Sequence, residues 1–372
     1  MALKSPIFRE RNLKDFNAMH SLEGSFYKSF PMKRSQEIKN WQVFFADRGV
    51  SESLIEQYMP YVEKLLVADL PIIFELEHLS KLIGIEISEL HKMIGNSSKF
   101  YREFSIAKKR GGRRTVYAPY PSLLMCQTWI YENILKSRTV HFCCHAYRHK
   151  RSIITNATPH LNKRAILKMD MENFFPSIPI NWVIRFFSDL GYSNNVAYYL
   201  AAICCVEGSL PQGASTSPAL SNILLKHLDN RLYQLSIKYN LSYTRYADDL
   251  TFSGEYIPNR LINVISNIVS DCSLSVNERK TSLIIGDKQK IVTGISVQGE
   301  NLSLPRASRR QIKKEIHYIK QYGLVSHISK LKIKNPYYLH SLEGKLRFWL
   351  QIEPENESVL ENLNFILELK DI

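Results

Sequence analysis

Two adjacent acids, Asp248 and Asp249, stand in the middle of a strand pattern and limit what the chain can build around them. The run Tyr243-Thr244-Arg245-Tyr246-Ala247-Asp248-Asp249-Leu250-Thr251-Phe252 reads as two short strands meeting at a turn. Asp is a good turn residue, and an isolated Asp-Asp is ordinarily no more than that. Here Tyr, Thr, Leu and Phe flank the acids on both sides, so the turn belongs to a buried hairpin rather than a loose loop. A third carboxylate, Asp170, ends the apolar run Ala165-Ile166-Leu167-Lys168-Met169-Asp170. Carboxylates gathered at strand ends repel one another unless a cation neutralises them. Hard oxygen ligands suit Mg²⁺, which keeps several waters and takes further ligands from substrate phosphates. Two such ions, about 3.5–4 Å apart, would activate an attacking hydroxyl and stabilise a departing pyrophosphate. The chemistry indicated is phosphoryl transfer.

The charge balance indicates the partner. With 49 Lys and Arg against 35 Asp and Glu, the chain carries +14. Such a surplus fits nucleic acid or an anionic membrane surface, with a solvated basic face as the plain alternative. A membrane-surface protein would explain the charge but leave the acids unexplained. At 372 residues, 45% hydrophobic and 23% charged, the composition excludes a disordered, collagen-like or disulfide-stapled chain. The longest uncharged apolar stretch, 196–206, has 11 residues against about 20 for a spanning helix. The N-terminus is charged where a signal peptide needs an apolar run. Six cysteines include no C-x-x-C pair, which argues for small buried hydrophobes in a reducing compartment rather than a zinc ribbon. A soluble, cytoplasmic protein with no membrane partner is expected.

Periodicity organises the rest. Leu54, Ile55, Tyr58, Val62 and Leu65 exemplify a helical repeat that persists to about residue 95. From Phe104 to Pro119, two strands flank Gly111-Gly112, whose freedom at positive φ suits a tight turn. A helix is predicted over 123–135, a strand ending at Asp170, and helices near 181–190 and 195–206. A Pro/Gly/Ser loop follows at 208–218, then a long helix from Ser217 to about Tyr239. Beyond the Asp248 hairpin come a helix near 258–271, strands at 282–285 and 291–297, and helix again from Pro305. Residues 305–350 hold eleven Lys or Arg against two Glu. On a helix, Arg306, Arg310, Lys313, His317 and Lys320 share one face, and Ile312, Ile316 and Ile319 the other. One face packs while the other meets phosphates. Tyr337, Tyr338, Phe348 and Trp349 either stack on bases or fill the core.

Tyr246-Ala247-Asp248-Asp249 resembles the Y-x-D-D box of reverse transcriptases, and Asp170 stands where that family's first catalytic aspartate stands. Leu210-Pro211-Gln212-Gly213-Ala214-Ser215-Thr216-Ser217-Pro218 is similar to the family's loop and helix that hold template and nucleotide. Three boxes in this order are a specific signal, and the resemblance covers roughly residues 75 to 350. It implies an α+β fold of right-hand polymerase architecture. Residues 1–95 would be a helical region leading into the fingers, 96–300 fingers and a palm of antiparallel sheet backed by helices, and 301–372 a basic helical thumb. It further implies Asp170, Asp248 and Asp249 as catalytic residues, with two Mg²⁺ ions at Asp170, Met171, Asp248 and Asp249. Nucleotide contacts would come from Arg114 and from Lys109 or its neighbour Lys108 in the basic turn, whose charges suit phosphate oxygens. Phe175 would be a steric gate crowding a ribose 2′-hydroxyl. Gln212 would touch the nucleotide, and Lys280 would protonate the leaving pyrophosphate. Plainer roles are a core ring for Phe175, a surface lysine for Lys280 and a solvated charge run for the turn.

Two further strings narrow the resemblance. Asn156-Ala157-Thr158-Pro159-His160 and Val292-Thr293-Gly294 resemble the N-A-x-x-H and V-T-G signatures of retron reverse transcriptases. Where many of those enzymes carry a Gly-Phe pair upstream, this chain reads His145-Ala146-Tyr147-Arg148, a departure that bears on local backbone rather than catalysis. No Cys or His spacing supports His160 as a metal ligand. It is a hydrogen-bonded structural residue or, with Asn156, an RNA contact. The resemblance implies copying of part of a cognate non-coding RNA, which serves as template and primer, using dNTPs. Priming from the 2′-hydroxyl of a guanosine would give branched multicopy single-stranded DNA (msDNA). Arg306, Arg310, Lys313 and Lys320 would hold the A-form duplex by its backbone. An effector protein encoded nearby, a role in anti-phage defence and template removal by a host RNase H are implied as well. The alternatives are a reverse transcriptase of another bacterial group and, in a different class, a non-catalytic RNA-binding scaffold.

Overall fold

The computed structural model describes residues 31–107 and 111–370; Lys108 and Lys109, expected on the phosphates, lie outside them. Two compact units interleave along the sequence, one from Met1–Thr139 and Phe175–Leu224, the other from Val140–Phe174 and Leu225–Ile372. Among the described residues no helix is long and apolar enough to cross a membrane.

The first unit begins with helices Pro31–Asp47, Glu52–Val67, Leu76–Ile83 and Ile87–Gly95. In the second of these Met59, Val62 and Leu65 form the buried stripe that the periodicity demands. Trp41, Phe44 and Phe45 gather with ring centroids 5.4–5.7 Å apart, and rings of this size dominate the burial energy of such a core. Strands β1 (Tyr101–Ala107) and β2 (Arg113–Pro119) pair antiparallel, Tyr101 opposite Pro119 and Ala107 opposite Arg113. Gly111 and Gly112 have φ of 90° and 83°, the left-handed backbone the turn was expected to need. Helix Pro121–Ile130 runs on into a π-helical turn, Tyr131–Leu135, and helices Ile180–Leu190, Asn194–Cys204 and Ser217–Leu224 follow. Cys126, Cys204 and Cys205 are buried free thiols. Burial pushes the Cys126 thiol up to about 12, which leaves it an inert apolar filler.

The second unit is built on a four-stranded antiparallel sheet. Strands β3 (Ala165–Asp170), β4 (Ser242–Tyr246), β5 (Asp249–Gly254) and β6 (Ser282–Ile285) lie in the order β4-β5-β3-β6. As a central strand β3 is buried on both faces except at Lys168, which explains its nearly unbroken apolar run. Helix Lys226–Lys238 packs on β4, and helix Arg260–Asp271 packs on that helix. The result is the expected α+β class.

Two sequence expectations change. The long helix from Ser217 to about Tyr239 is two helices parted at Leu225, whose ψ of 8° leaves the helical region. The strand expected over 291–297 is a hairpin of β7 (Ile291–Val292) and β8 (Ile295–Ser296). Thr293 and Gly294, at φ 45° and 85°, turn the chain there, as a two-residue hairpin loop requires.

Helices Arg306–Tyr322, Leu324–Leu331, Tyr338–Ile352 and Glu357–Glu368 close the second unit. Ile312, Ile316 and Ile319 face a core with Val292, Leu346 and Trp349, each isoleucine stabilising it by about 1.5–3 kcal/mol. Arg306, Arg310, Lys313, His317 and Lys320 are on the exposed face. Of the four aromatics left between base stacking and core, Trp349 is buried, Tyr337 is 68% exposed, and Tyr338 donates its hydroxyl to Glu315 at 3.3 Å.

Candidate active site

The antiparallel register brings the acids together. Asp170, the last residue of β3, lies directly opposite Asp249, the first of β5. Tyr246 pairs with Asp249 across β4 and β5, leaving Ala247-Asp248 as a two-residue loop. Ala247 sits at φ 56°, a region that costs a residue with a Cβ about 1–2 kcal/mol. Backbone bonds lock the strand ends: Met171 N donates to the Asp248 carbonyl at 2.9 Å, Asn277 N to that of Asp170 at 2.7 Å, and Glu172 N to that of Ser275 at 2.8 Å.

The electrostatics are those of a negative surplus. Asp170 is 5% exposed, and Lys280 Nζ donates to both its carboxylate oxygens, the Oδ2 contact being 2.8 Å. Asp249 reaches solvent, yet its carboxyl is pushed up to about 6. Loss of hydration around the group is the first cause, then the charges of Asp248 and Asp170, with Lys168 and Lys280 pulling back. Among the described residues no three His, Cys, Asp or Glu side chains are drawn closely enough to cage an ion alone. The donor set still fits a hard divalent cation, because such ions take only part of their shell from carboxylates and the rest from phosphates and water.

A second polar cluster lies just behind the turn, and the sequence reading passed over it. Arg245 and Asp229 are both 0% exposed. Arg245 Nε and Nη2 donate to the two Asp229 carboxylate oxygens, each at 2.7 Å, and Nη1 donates to the Ala247 carbonyl at 3.1 Å. Tyr243 donates its hydroxyl to Asp229 at 2.9 Å. The available signal was phase. Arg245 alternates in step with buried Tyr243 on β4, and Asp229 continues the apolar stripe of Leu225 and Leu232.

The N-A-x-x-H and V-T-G strings are brought together, with Asn156, Ala157, His160 and Val292 buried. Asn156 is 1% exposed and His160 0%, the placement of a hydrogen-bonded structural residue, one of the two readings of His160. Asn156 Nδ2 donates to Thr293 Oγ1 at 3.3 Å, so one signature string holds the other. The His160 ring bonds Ser253 on β5 at 2.7 Å and Thr244 on β4 at 2.8 Å, bracing both strands of the Asp248 hairpin. Burial first, then His145 and Lys163, lowers this histidine to about 3. It is therefore a neutral ring that donates through one nitrogen and accepts through the other.

The first unit carries Arg114, Phe175 and Gln212 of the expected nucleotide-contact residues, and Lys280 belongs to the second. The Gln212 carbonyl accepts from Tyr117 N at 2.8 Å, which ties the 208–218 loop to β2. Gly213, at φ 119°, comes so close that a Cβ would lie 2.5 Å from the Tyr117 carbonyl; only glycine fits. Phe175 is half-buried against the first unit's core. Arg114 is exposed and lies opposite Ile106, while its neighbour Arg113 is held by Ser105 at 2.8 Å. In the second unit Lys320 turns onto the last helix, donating to Asn362 at 2.8 Å with Phe365 5.0 Å away.

The model of the family "Reverse transcriptase (RNA-dependent DNA polymerase)" matches residues 106–321. The retron Ec86 reverse transcriptase of Escherichia coli is 34% identical over 254 residues, 67% of this chain and 79% of its own. The retron Mx65 enzyme of Myxococcus xanthus is 31% identical over 300 residues, 74% of this chain and 70% of its own. The retron Mx162 enzyme of the same organism is 29% identical over 281 residues, 65% and 58% of the two chains. With Asp170 and Asp249 on facing strand ends and relatives of this kind, the chain belongs to the reverse transcriptases of the retron group, RNA-directed DNA polymerases that work on a nucleic-acid template and primer.

Proposed function

We propose that Asp170, Asp248 and Asp249 are the catalytic carboxylates and that, with Met171, they hold two Mg²⁺ ions. When bound, the ions would activate the attacking hydroxyl and stabilise the departing pyrophosphate. The observation that supports this most is the facing of Asp170 and Asp249 while like charges help hold Asp249 up at about 6. Lys280, already on Asp170, would release Asp170 as the metal enters and hold a proton at Nζ for the leaving pyrophosphate. The resemblance assigns nucleotide contacts to Gln212, Arg114 and Phe175, and to Lys109. Phe175 would select the deoxy sugar by shape. Arg306, Arg310, Lys313 and Lys320 would hold duplex phosphates, Lys320 after leaving Asn362.

We further propose that the template is a cognate non-coding RNA, primed from the 2′-hydroxyl of a guanosine, and that the product is branched msDNA made for anti-phage defence. Similarity to the retron enzymes supports this reading, as do the Asn156 and Val292 strings. An effector protein encoded nearby and a host RNase H would be its partners. The test uses cells expressing the gene with its native upstream flank, from which total nucleic acid is extracted and treated with RNase or debranching enzyme. A discrete small DNA that shifts on treatment and vanishes in Asp248→Asn is the expected result. Mg²⁺-dependent extension of a supplied primer on RNA, without that DNA, would keep the polymerase and remove the retron substrate. Phe175→Ala should raise ribonucleotide incorporation about tenfold or more, and unchanged sugar selectivity would remove the gate.

A further inference from the structure

The turn that presents Asp248 and Asp249 is held from behind by a charged group, the Arg245 guanidinium. Arg245 is tied to Asp229 by both arms of its fork, and Asp229 rides on helix Lys226–Lys238. The backbone of Arg245 is pinned as well: its N–H donates to the Cys143 carbonyl at 2.8 Å, and its carbonyl accepts from His145 N at 2.9 Å. The remaining terminal nitrogen donates to Ala247, the residue held at φ 56°. A fully buried ion pair is a weak stabilising device, since dehydrating two ions offsets most of their attraction and apolar side chains of similar size do as well. What apolar side chains would not supply is direction. A planar guanidinium fixes three bonds in one plane, and here those bonds join a helix, a strand and a left-handed turn.

We infer that Arg245, oriented by Asp229, is a positioning residue that sets the Ala247-Asp248 turn and hence the aim of the catalytic carboxylates at the end of β3. The inference rests on the reading of Asp248 and Asp249 as catalytic. Lysine is not equivalent at this position. One ammonium on a flexible stem reaches Asp229 or the Ala247 carbonyl, but does not hold both in a fixed plane.

Two variants test this beside Asp248→Asn. The first replaces the whole cluster by apolar groups of similar size, Asp229→Leu with Tyr243→Phe and Arg245→Met, so that no buried charge or hydroxyl is stranded. The second is Arg245→Lys, which keeps the charge. Purified protein is assayed for thermal midpoint, RNA affinity, and kcat, KM and half-saturating Mg²⁺ on an RNA template with a DNA primer. In both, the account expects a retained fold and unchanged KM for primer–template. It also expects kcat to fall about 10- to 100-fold, as for a small misplacement of reacting groups, with half-saturating Mg²⁺ raised. A merely structural pair would leave kcat and the Mg²⁺ requirement of the folded protein unchanged in both variants, whatever the midpoint does. If the triple variant does not fold, Arg245→Lys decides: full kcat at ordinary Mg²⁺ overturns the inference. Should Asp248→Asn remain active, the catalytic reading itself fails. An inactive Asp248→Asn beside a fully active triple variant defeats the positioning role alone.

Discussion

The two polar clusters on the β4–β5 hairpin differ in one respect, and that difference separates chemistry from scaffolding. Behind the turn, Asp229 meets Arg245 and Tyr243 in a fully buried network. In front of it, Asp170 faces Asp249 with Asp248 next in the turn, and Lys280 lies on Asp170. Lost hydration first, then the charges of Asp248 and Asp170, push the Asp249 carboxyl up. A balanced cluster is part of the packing. A cluster left with surplus charge of one sign is prepared for something that arrives from outside, here a cation. Lys280 makes the same point, because an ammonium already stands where positive charge is needed.

The contrast gives predictions in descending size. Asp248→Asn should lower primer extension by about 10³-fold or more while leaving RNA affinity and metal-free stability unchanged or slightly improved, since it removes a repulsive charge. Surviving synthesis would break the comparison outright. Asp229→Ala should do the opposite kind of damage, costing about 3–5 kcal/mol in urea unfolding because Arg245 is left buried without its carboxylate. A loss below about 1 kcal/mol, the range of an exposed pair, would mean the guanidinium finds water or another partner.

pH should distinguish the clusters next. Asp249 titrates near 6 in the folded protein against 3.8 for the free side chain. As pH falls through 6, the folded state takes up a proton that the unfolded chain does not yet hold. In EDTA, this group therefore makes the folded state more stable between pH 6 and about 4, and Asp248→Asn should shrink that gain. Urea unfolding across this range measures both, and equal slopes in the two proteins would contradict the assigned repulsion. The smallest effect belongs to the solvated charges of helix Arg306–Tyr322. Replacing Arg310 and Lys313 by Ala should flatten the salt dependence of RNA binding by about two charge units, and an unaltered slope would move the duplex elsewhere.

The acids were legible because alternation marks strands and an acid inside a strand pattern has few innocent explanations. The same alternation was read past at Arg245, since arginine on a strand is ordinarily taken to face water and its partner lies 16 residues away on a helix. Asn156 and His160 were legible as signature residues, with a structural role one of the two readings of His160, but the partners that bury them were not. A short string records that a residue type is present, while its burial depends on Thr244, Ser253 and Thr293, each far off in sequence. The helix break at Leu225 and the Thr293-Gly294 turn are single-residue backbone choices, and apolar periodicity runs straight across them. Gly213 gives the reverse lesson: the loop was visible, whereas the close approach to Tyr117 that forbids a side chain belongs to three dimensions.

The most direct measurement is spin resonance of Mn²⁺, used as a stand-in for Mg²⁺. The protein would be bound to an RNA template and a DNA primer lacking its terminal 3′-hydroxyl, with the matching dNTP. The account predicts about two bound ions per protein, falling in Asp248→Asn and unchanged in Arg310→Ala. Equal Mn²⁺ occupancy in wild type and Asp248→Asn would contradict it, and would mean that the facing carboxylates of β3 and β5 are not where the metal goes.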